Sequence, residues 1–205
     1  MRTATGKLLF VVFLLVASTN FYGCGYNKLV TMEEGVNSAW SQVENQYQRR
    51  ADLIPNLVST VQGSADFEKS TLTEVTDARS KVGQMKLSAD DLSDPQKFQA
   101  FQQAQDQLSS ALSRLLVVSE NYPALKSNEN FLQLQSQLEG TENRISVERR
   151  RFNEMVQSYN SEVRSFPTLI SAKIFGFKEK EYFQSVAGSD KAPDVNFDFN
   201  KKDGK

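Results

Sequence analysis

A long run of apolar positions between Asn128 and Phe166 constrains the fold more than any other feature of this sequence. The positions recur at alternating steps of three and four residues, which places them on one face of a helix. Such a helix would be roughly 60 Å long, and its single apolar face must be buried against other long helices. The stripe consists of Phe131, Leu134, Leu138, Thr141, Ile145, Arg149, Phe152, Val156, Tyr159, Val163 and Phe166. The pattern predicts an all-α protein built as a bundle of long helices.

Two further helical arms are predicted before this stripe. The first begins at Glu33 and continues in phase to about Gly83. It contains Pro55, and an interior proline costs about 3 kcal/mol and kinks a helix, so we expect a kink or a brief break there. The second arm begins at Asp94–Pro95, an N-cap residue followed by proline at the first helical position. It ends before Pro123, because a proline steers the residue before it out of the helical conformation.

The long helix has recognisable boundaries at both ends. Ser127 or Asn128 is expected to cap its start, and Phe166–Pro167 is expected to end it. A short helix from Thr168 to Phe175 follows, with Gly176 at its end. Three aromatic residues are then expected to dock on the bundle: Phe177, Tyr182 and Phe183. The remaining tail is rich in Gly, Ser, Asp and Lys, and its alternating Val195, Phe197 and Phe199 fit a brief strand.

Composition argues against several classes of function. The formal net charge is -1, which removes the electrostatic basis for binding nucleic acid. Histidine is absent, so histidine-based acid/base catalysis is excluded, and a carboxylate-bridged metal site that uses Glu-x-x-His cannot be built. The single cysteine allows no internal disulfide. We therefore expect no catalytic residues, no metal and no cofactor.

The first residues resemble an export signal. Arg2 and Lys7 precede an apolar core from Leu8 to Ser18, which is within the range of signal peptides and short for a membrane span. Gly23 directly precedes Cys24, and this pair resembles a bacterial lipobox, although Phe21 and Tyr22 depart from the usual leucine and small residue. Cleavage there would remove residues 1–23 and leave lipid attached to Cys24. Residues 24–32 would then form the lipid attachment site and a linker.

An uncleaved signal anchor is one alternative, and a free buried cysteine is another. No residue between Lys7 and Lys28 is charged, so this span could just cross a bilayer, although its second half is polar. In the lipoprotein and signal-anchor interpretations the basic N-terminus stays in the cytoplasm and the helical domain lies outside it, on the periplasmic or surface side.

Charged residues inside the apolar stripes form the candidate site. These seam residues are Arg50, Glu68, Arg79, Glu142 and Arg149. An unpaired buried charge costs several kcal/mol, so each should pair with an opposite charge or reach solvent. One interpretation is a network of ion pairs between helices that sets their register. The others are a ligand or catalytic pocket, and long side chains that extend to the edge of the stripe.

Motifs distributed along the chain resemble the LemA family. They occur in order from about Tyr26 to about Phe183, which is nearly the whole chain after the export signal. The matching stretches are Tyr26-Asn27-x-Leu29-Val30, Ala39-Trp40-Ser41-Gln42-Val43, Gln48-Arg49-Arg50-x-Asp52-Leu53-Ile54-Pro55-Asn56-Leu57-Val58, Ala78-Arg79-Ser80, Tyr122-Pro123-x-Leu125-Lys126, Asn128-Glu129-x-Phe131, Leu138-Glu139-Gly140-Thr141-Glu142-Asn143-Arg144-Ile145, Arg149-Arg150-x-Phe152-Asn153, Phe166-Pro167 and Phe175-Gly176-Phe177.

The resemblance implies an antiparallel bundle of three to four helices, here over residues 33–183. The composition of residues 184–205 indicates a flexible tail after it. The resemblance also implies a location on the outer side of a bacterial membrane. Many relatives carry a transmembrane helix where this chain has Cys24, which favours a lipid in the role of that helix. The family has no agreed biochemical activity, and one relative helps to shape magnetosome membranes.

We therefore expect a membrane-anchored, non-enzymatic scaffold or adaptor of the cell envelope, with envelope proteins as its partners. A small-ligand receptor or enzyme that uses the polar seam is one alternative. Direct membrane remodelling is another.

Replacing Cys24 by alanine tests the lipid anchor. The variant should lose metabolic labelling with palmitate completely, because Cys24 is the only thiol in the chain that an acyl group can reach. Immunoblotting at equal protein level is the control. Labelling that persists at the level of the unsubstituted chain would contradict lipid attachment at this residue.

Overall fold

The computed structural model describes residues 2–63 and 67–184, with side chains from residue 25 onward. Helices account for most of this part of the chain, and no strand occurs in it. The helices are α1 (Arg2–Gln62), α2 (Lys69–Gln84), α3 (Pro95–Ser119), α4 (Pro123–Lys126), α5 (Glu129–Arg164) and α6 (Thr168–Phe175), with a 3-10 turn at Asp90–Ser93. The prediction of an all-α protein is confirmed. The predicted strand at Val195, Phe197 and Phe199 and the predicted flexible tail beyond Gln184 lie outside the described residues.

The four long helices run up and down the bundle. Contacts of α5 with α1 and with α3 join rising residue numbers on one helix to falling numbers on the other, as antiparallel neighbours require. The contacting pairs are Lys28 with Glu162 and Arg50 with Glu142 between α1 and α5, Glu74 with Arg114 between α2 and α3, and Asp106 with Arg149 between α3 and α5. The antiparallel bundle expected from the family resemblance is therefore present.

Helix α1 begins much earlier than the sequence pattern predicts. The expected start at Glu33 is wrong because the helix is continuous from Arg2 to Gln62. The lipid attachment site and linker expected over residues 24–32 stay a prediction. Leu29 is fully buried seven residues before Val36, so it extends the apolar stripe toward the N-terminus. This added burial stabilises the helical conformation through the polar residues that had suggested a linker.

Helix α1 passes through Pro55 without a break, and the predicted first arm ends at Gln62 instead of continuing to Gly83. Proline has no N–H, so the carbonyl of Ala51, four residues earlier, loses its helical partner. Arg79 supplies the missing hydrogen bond, because its Nε donates to the Ala51 oxygen at 3.1 Å. A continuous helix would place residues 51 and 79 about 42 Å apart, so this contact also shows that α2 folds back along α1.

Helix α5 follows the predicted stripe closely. Asn128 is its cap, with the side-chain oxygen accepting from the Phe131 N–H at 3.1 Å. The stripe residues are buried except for Leu134 and Arg149, which are half-buried, and Phe166. Phe166 was wrongly included, because α5 ends at Arg164 and leaves this side chain 81% exposed.

The predicted start of α3 and the predicted bounds of α6 are also confirmed. Asp94 caps α3 by accepting from the N–H groups of Gln96 and Lys97, and Pro95 is the first helical residue. Helix α6 spans Thr168–Phe175 and ends at Gly176, whose φ of 78° is in the left-handed region that favours glycine.

The buried side chains form two hydrophobic cores stacked along the bundle. The lower core surrounds Trp40 and contains side chains from α1, α3, α5 and the C-terminal segment. The upper core lies around Leu57 and Leu108, where α2 becomes the fourth helix. Trp40 is 3% exposed and packs against four phenylalanine rings, so it is the centre of the lower core.

An extended segment over residues 177–184 closes the lower core. Three side-chain amides each make two hydrogen bonds to its main chain: Asn160 to Lys180, Asn153 to Phe183 and Gln102 to Gln184. Of the three aromatic residues predicted to dock, Phe183 is buried beside Trp40, Phe177 is half-buried, and Tyr182 is largely exposed.

The role of Arg79 can be tested with a double-mutant cycle. Arg79→Leu should reduce the free energy of unfolding by about 1 kcal/mol, because it leaves the Ala51 carbonyl without a protein donor. Pro55→Ala restores the helical N–H, so in that background the cost of Arg79→Leu should shrink toward zero. Urea unfolding of the four proteins measures both values. Equal costs of Arg79→Leu in the two backgrounds would contradict this pairing.

A second test concerns pH. Glu162 accepts from Lys28 at 2.6 Å and from Thr168 at 2.6 Å, so it joins α5 to α1 and α6. These two hydrogen bonds lower the pKa of Glu162 below its ordinary value of 4.5. Their contribution to stability is therefore complete above that value and is lost as the pH falls through the lowered pKa.

The Glu162→Gln variant, which has no charge to lose, should consequently lose less stability than the unsubstituted chain between pH 5 and pH 3. Urea midpoints across this range measure the difference. Parallel curves for the two proteins would show that Glu162 does not contribute in this way.

Candidate functional site

Arg50 lies at the centre of the candidate site, between the two hydrophobic cores. Its side chain is only 1% exposed, yet it carries a permanent charge. One terminal nitrogen donates to Glu142 and to Ser109, each at 2.6 Å, and the other donates to the side chain of Gln105. The guanidinium of α1 is therefore held by polar groups from α3 and α5. Its plane also lies 5.3 Å from the ring of Tyr47.

A second pair extends this polar layer toward the surface. Arg149 lies 3.3 Å from Asp106, and both side chains are about one quarter exposed, at 21% and 27%. The guanidinium of Arg149 also covers the ring of Phe183 at 4.4 Å. Tyr47 lies buried beside both arginines, and this burial raises the pKa of its hydroxyl to about 12. The layer is thus a set of charges and amides that crosses the bundle between the cores.

The structure brings together three of the five predicted seam residues. Arg50 and Glu142 form a direct ion pair, and Arg149 belongs to the adjoining pair. Arg79 lies on the exposed side of α2 and bonds the Ala51 carbonyl, and Glu68 lies exposed at the start of α2. The prediction that these two residues belong to the seam is wrong, because the chain reverses after Gln62 and both side chains are exposed on or just before α2. Arg79 and Arg149 share no partner among the described residues, so we expect their substitutions to have additive effects.

Several partners in this layer were not identified from the sequence. Gln105, Asp106 and Ser109 lie on α3, whose Gln- and Ser-rich pattern gives no sign of a buried cation. The only available signal is phase: Gln105 lies one turn after Phe101 and about one turn before Leu108, and all three are buried. A polar residue in phase with two core residues is a candidate for a buried hydrogen bond.

A separate buried ion pair was also missed. Lys180 is 6% exposed, and its amine lies 2.9 Å from the carboxylate of Glu33. Burial and the nearby Glu33 charge raise the pKa of the Tyr159 hydroxyl. This pair anchors the extended segment to α1, and nothing in the local sequence around Lys180 predicts that its side chain turns inward.

Two open grooves lie on either side of residues 182–184. The larger has a volume of about 800 Å³ and runs between α2 and α3, with Glu74, Asp77 and Asp106 among its lining residues. The smaller has a volume of about 580 Å³ and runs along α5, with Glu142 and Arg149 among its lining residues. Arg50 lines neither groove, so the buried charge at the centre of the layer does not face solvent.

The chemistry available in this layer is that of ion pairing. Arginine stays protonated, and the groups around Arg50 are an amide, a hydroxyl and a carboxylate that already bind it. Clusters of three or more histidine, cysteine or acidic residues suited to a metal ion are not found among the described residues. The arrangement is suited to holding three helices in register.

The predicted N-terminal lipid anchor depends on Cys24. The side chain of Cys24 lies outside the residues whose side chains are described. Among the described residues, no helix has both the length and the apolar character needed to cross a membrane.

Comparison with known proteins identifies the family. The sequence pattern of the LemA family matches residues 39–197 of this chain. The chain belongs to the LemA family. The resemblance read from the motifs is therefore confirmed, and the polar layer belongs to the matched region.

Named relatives of this LemA-family chain come from two kinds of bacteria. The magnetosome proteins MamQ 1 and MamQ 2 of Paramagnetospirillum magneticum are each 30% identical over 181 residues, covering 80% of this chain and 66% of the relative. The protein LemA of Metamycoplasma hominis is 24% identical over 186 residues, covering 89% of this chain and 81% of the relative. This LemA-family chain thus spans just under two thirds of the length of the two magnetosome proteins.

The contribution of the polar layer to stability can be measured directly. Arg50→Met should reduce the free energy of unfolding by about 3–5 kcal/mol, because it leaves buried polar groups on two helices without their cation. Arg151→Met is the matched control. Arg151 pairs with Glu148 on the exposed face of α5, and its loss should cost less than about 1 kcal/mol.

A double-mutant cycle with Glu142→Leu separates the pair from the rest of the layer. We expect a coupling energy of about 1–3 kcal/mol between positions 50 and 142. Urea unfolding supplies the four values. A coupling near zero would show that the two side chains do not interact in solution.

Proposed function

We propose that this protein is a membrane-tethered, non-enzymatic scaffold of the bacterial cell envelope, attached through lipid on Cys24. The observation that carries the proposal is the closed environment of Arg50. Its guanidinium is buried and already bound by Gln105, Ser109 and Glu142, so the central charge has the role of a structural connection.

The shape of the bundle supports this role. The part of α1 from residue 25 to Gln62 is about 57 Å long at 1.5 Å per residue. A rod of this length, held to a membrane at its N-terminal end, presents long side surfaces well beyond the lipid. The apolar segment Leu8–Ser18 and the cysteine that follows it are the basis for the tether.

A small-ligand receptor is a second candidate, and one observation favours it. The hydroxyl of Tyr47, Nε of Arg50 and one terminal nitrogen of Arg149 are buried without a hydrogen-bond partner among the described residues. Leaving such groups unpaired costs about 1–3 kcal/mol each, which a bound polar molecule would recover. The scaffold is the better proposal, because the groove along α5 reaches Arg149 but not Arg50.

Export and attachment are tested by protease treatment of whole cells and spheroplasts. The bundle should be cleaved by added protease while a cytoplasmic marker stays intact, and it should sediment with membranes. Cys24→Ala should remove the mature lipidated form. If the bundle stays uncleaved in intact spheroplasts, this result would contradict the envelope location.

Scaffolding is tested by photo-crosslinking in cells. A photoreactive residue at Gln103 or Gln107, which are exposed in the large groove, should give discrete protein adducts. Asn143, exposed on α5, is the matched control position.

The receptor alternative is tested by measuring the thermal unfolding temperature of the protein with and without small anions. Adducts at the groove without a ligand-induced shift support the scaffold, whereas a saturable shift that Tyr47→Phe abolishes would favour the receptor.

A further inference from the structure

Helix α6 has its apolar residues on the wrong side for a helix of a soluble bundle. The residues that it buries are small, Thr168, Ser171 and Ala172, whereas Ile174 is 64% exposed and Phe175 is 55% exposed. Phe166, just before the helix, is 81% exposed. An apolar patch that is exposed as one surface marks a site of interaction with a protein or a membrane.

The patch is built around the N-terminal part of α1. Tyr26 on α1 lies 4.8 Å from the ring of Phe175 and 5.7 Å from that of Phe177. A Cβ atom at Gly25 would lie 3.2 Å from the Ser171 hydroxyl, so the glycine lets α6 approach α1 closely. Lys28, Glu162 and Thr168 add polar contacts that fix α6 against α1 and α5. We define the α6 patch as Tyr26, Phe166, Ile170, Ile174 and Phe175.

The position of the α6 patch indicates what covers it. Gly25 is seven residues after Ser18, the end of the apolar segment, and α1 is helical throughout, so the two are separated by about 10 Å along the helix. The patch therefore lies at the end of the bundle where the chain meets the membrane in either anchoring arrangement. Its aromatic residues and the exposed Lys173 and Lys178 beside it are typical of a surface that enters the headgroup region of a bilayer.

We propose that the α6 patch inserts into the phospholipid surface and acts as a second membrane contact, in addition to the N-terminal tether. This inference rests on the membrane tether of the proposed function. Two contacts at one end would restrict how the rod tilts on the membrane more than a single point of attachment does. A second copy of the chain or a protein partner on the same patch is the alternative that the experiment must distinguish.

Tryptophan placed in the patch reports its surroundings. Phe166→Trp and Ile174→Trp are made in the full-length chain and reconstituted into vesicles of phosphatidylcholine and phosphatidylglycerol with brominated acyl chains. Val117→Trp is the matched control, because Val117 is 70% exposed near the end of α3, at the far end of the bundle. Trp40 is buried and present in every variant, so its emission is measured in the unsubstituted chain and subtracted. Circular dichroism confirms that each variant is folded.

The proposal expects blue-shifted emission at positions 166 and 174 that is quenched by the brominated lipid, with solvent-like, unquenched emission at position 117. Solvent-like emission at 166 and 174 while the protein still floats with the vesicles would overturn the proposal and leave the tether intact. Blue-shifted emission without quenching would assign the patch to a second copy or to another part of the chain, which also overturns it. Failure of the protein to float would remove the tether and this inference together.

Discussion

The buried guanidinium of Arg50 is the interaction on which the architecture depends, because it joins three helices at the boundary between two hydrophobic cores. Hydrophobic contacts alone are tolerant of sliding, since one apolar stripe packs against another in several registers. A buried cation does not allow the helices to slide, because a shift of one turn would separate it from Gln105 and Glu142 and leave it unpaired. The upper and lower cores can therefore differ in composition, one with α2 and the other with the extended segment, while the helices keep one alignment.

One end of the bundle differs in surface chemistry from its long sides. The end formed by the start of α1 and by α6 exposes aromatic and aliphatic residues, whereas the long sides carry mixed charges and glutamines. Such a division agrees with a protein that touches lipid at one end and other proteins along its length. Membership of the LemA family establishes the type of protein, and the partners and the mode of anchoring are our proposals.

Sequence reasoning succeeded where the physical signal was local or periodic. The α5 stripe, the Asp94–Pro95 start of α3 and the Gly176 end of α6 each follow from a repeat or from the chemistry of one or two residues. It failed where distant residues decide the outcome. Nothing near Pro55 shows that Arg79 will bond the Ala51 carbonyl, and nothing near Lys180 shows that Glu33 will pair with it. Five charged residues were predicted to form the seam, and three of them lie in one layer across the bundle. Glu68 and Arg79 lie outside it, because the chain reversal before α2 cannot be predicted from phase alone.

The three side-chain amides that bind residues 180–184 contact main-chain atoms. Their hydrogen bonds therefore depend on the number of residues between the bound positions, and the side chains of the segment do not affect them. Asn153 and Asn160 are seven helical residues apart, a rise of about 10.5 Å, which equals the reach of about three extended residues from Lys180 to Phe183. The spacing of the two asparagines on α5 therefore fixes how many residues of the extended segment fit between them. Substitutions at positions 181 and 182 should be accepted freely, whereas inserting or deleting one residue there would move every later group out of reach of its amide.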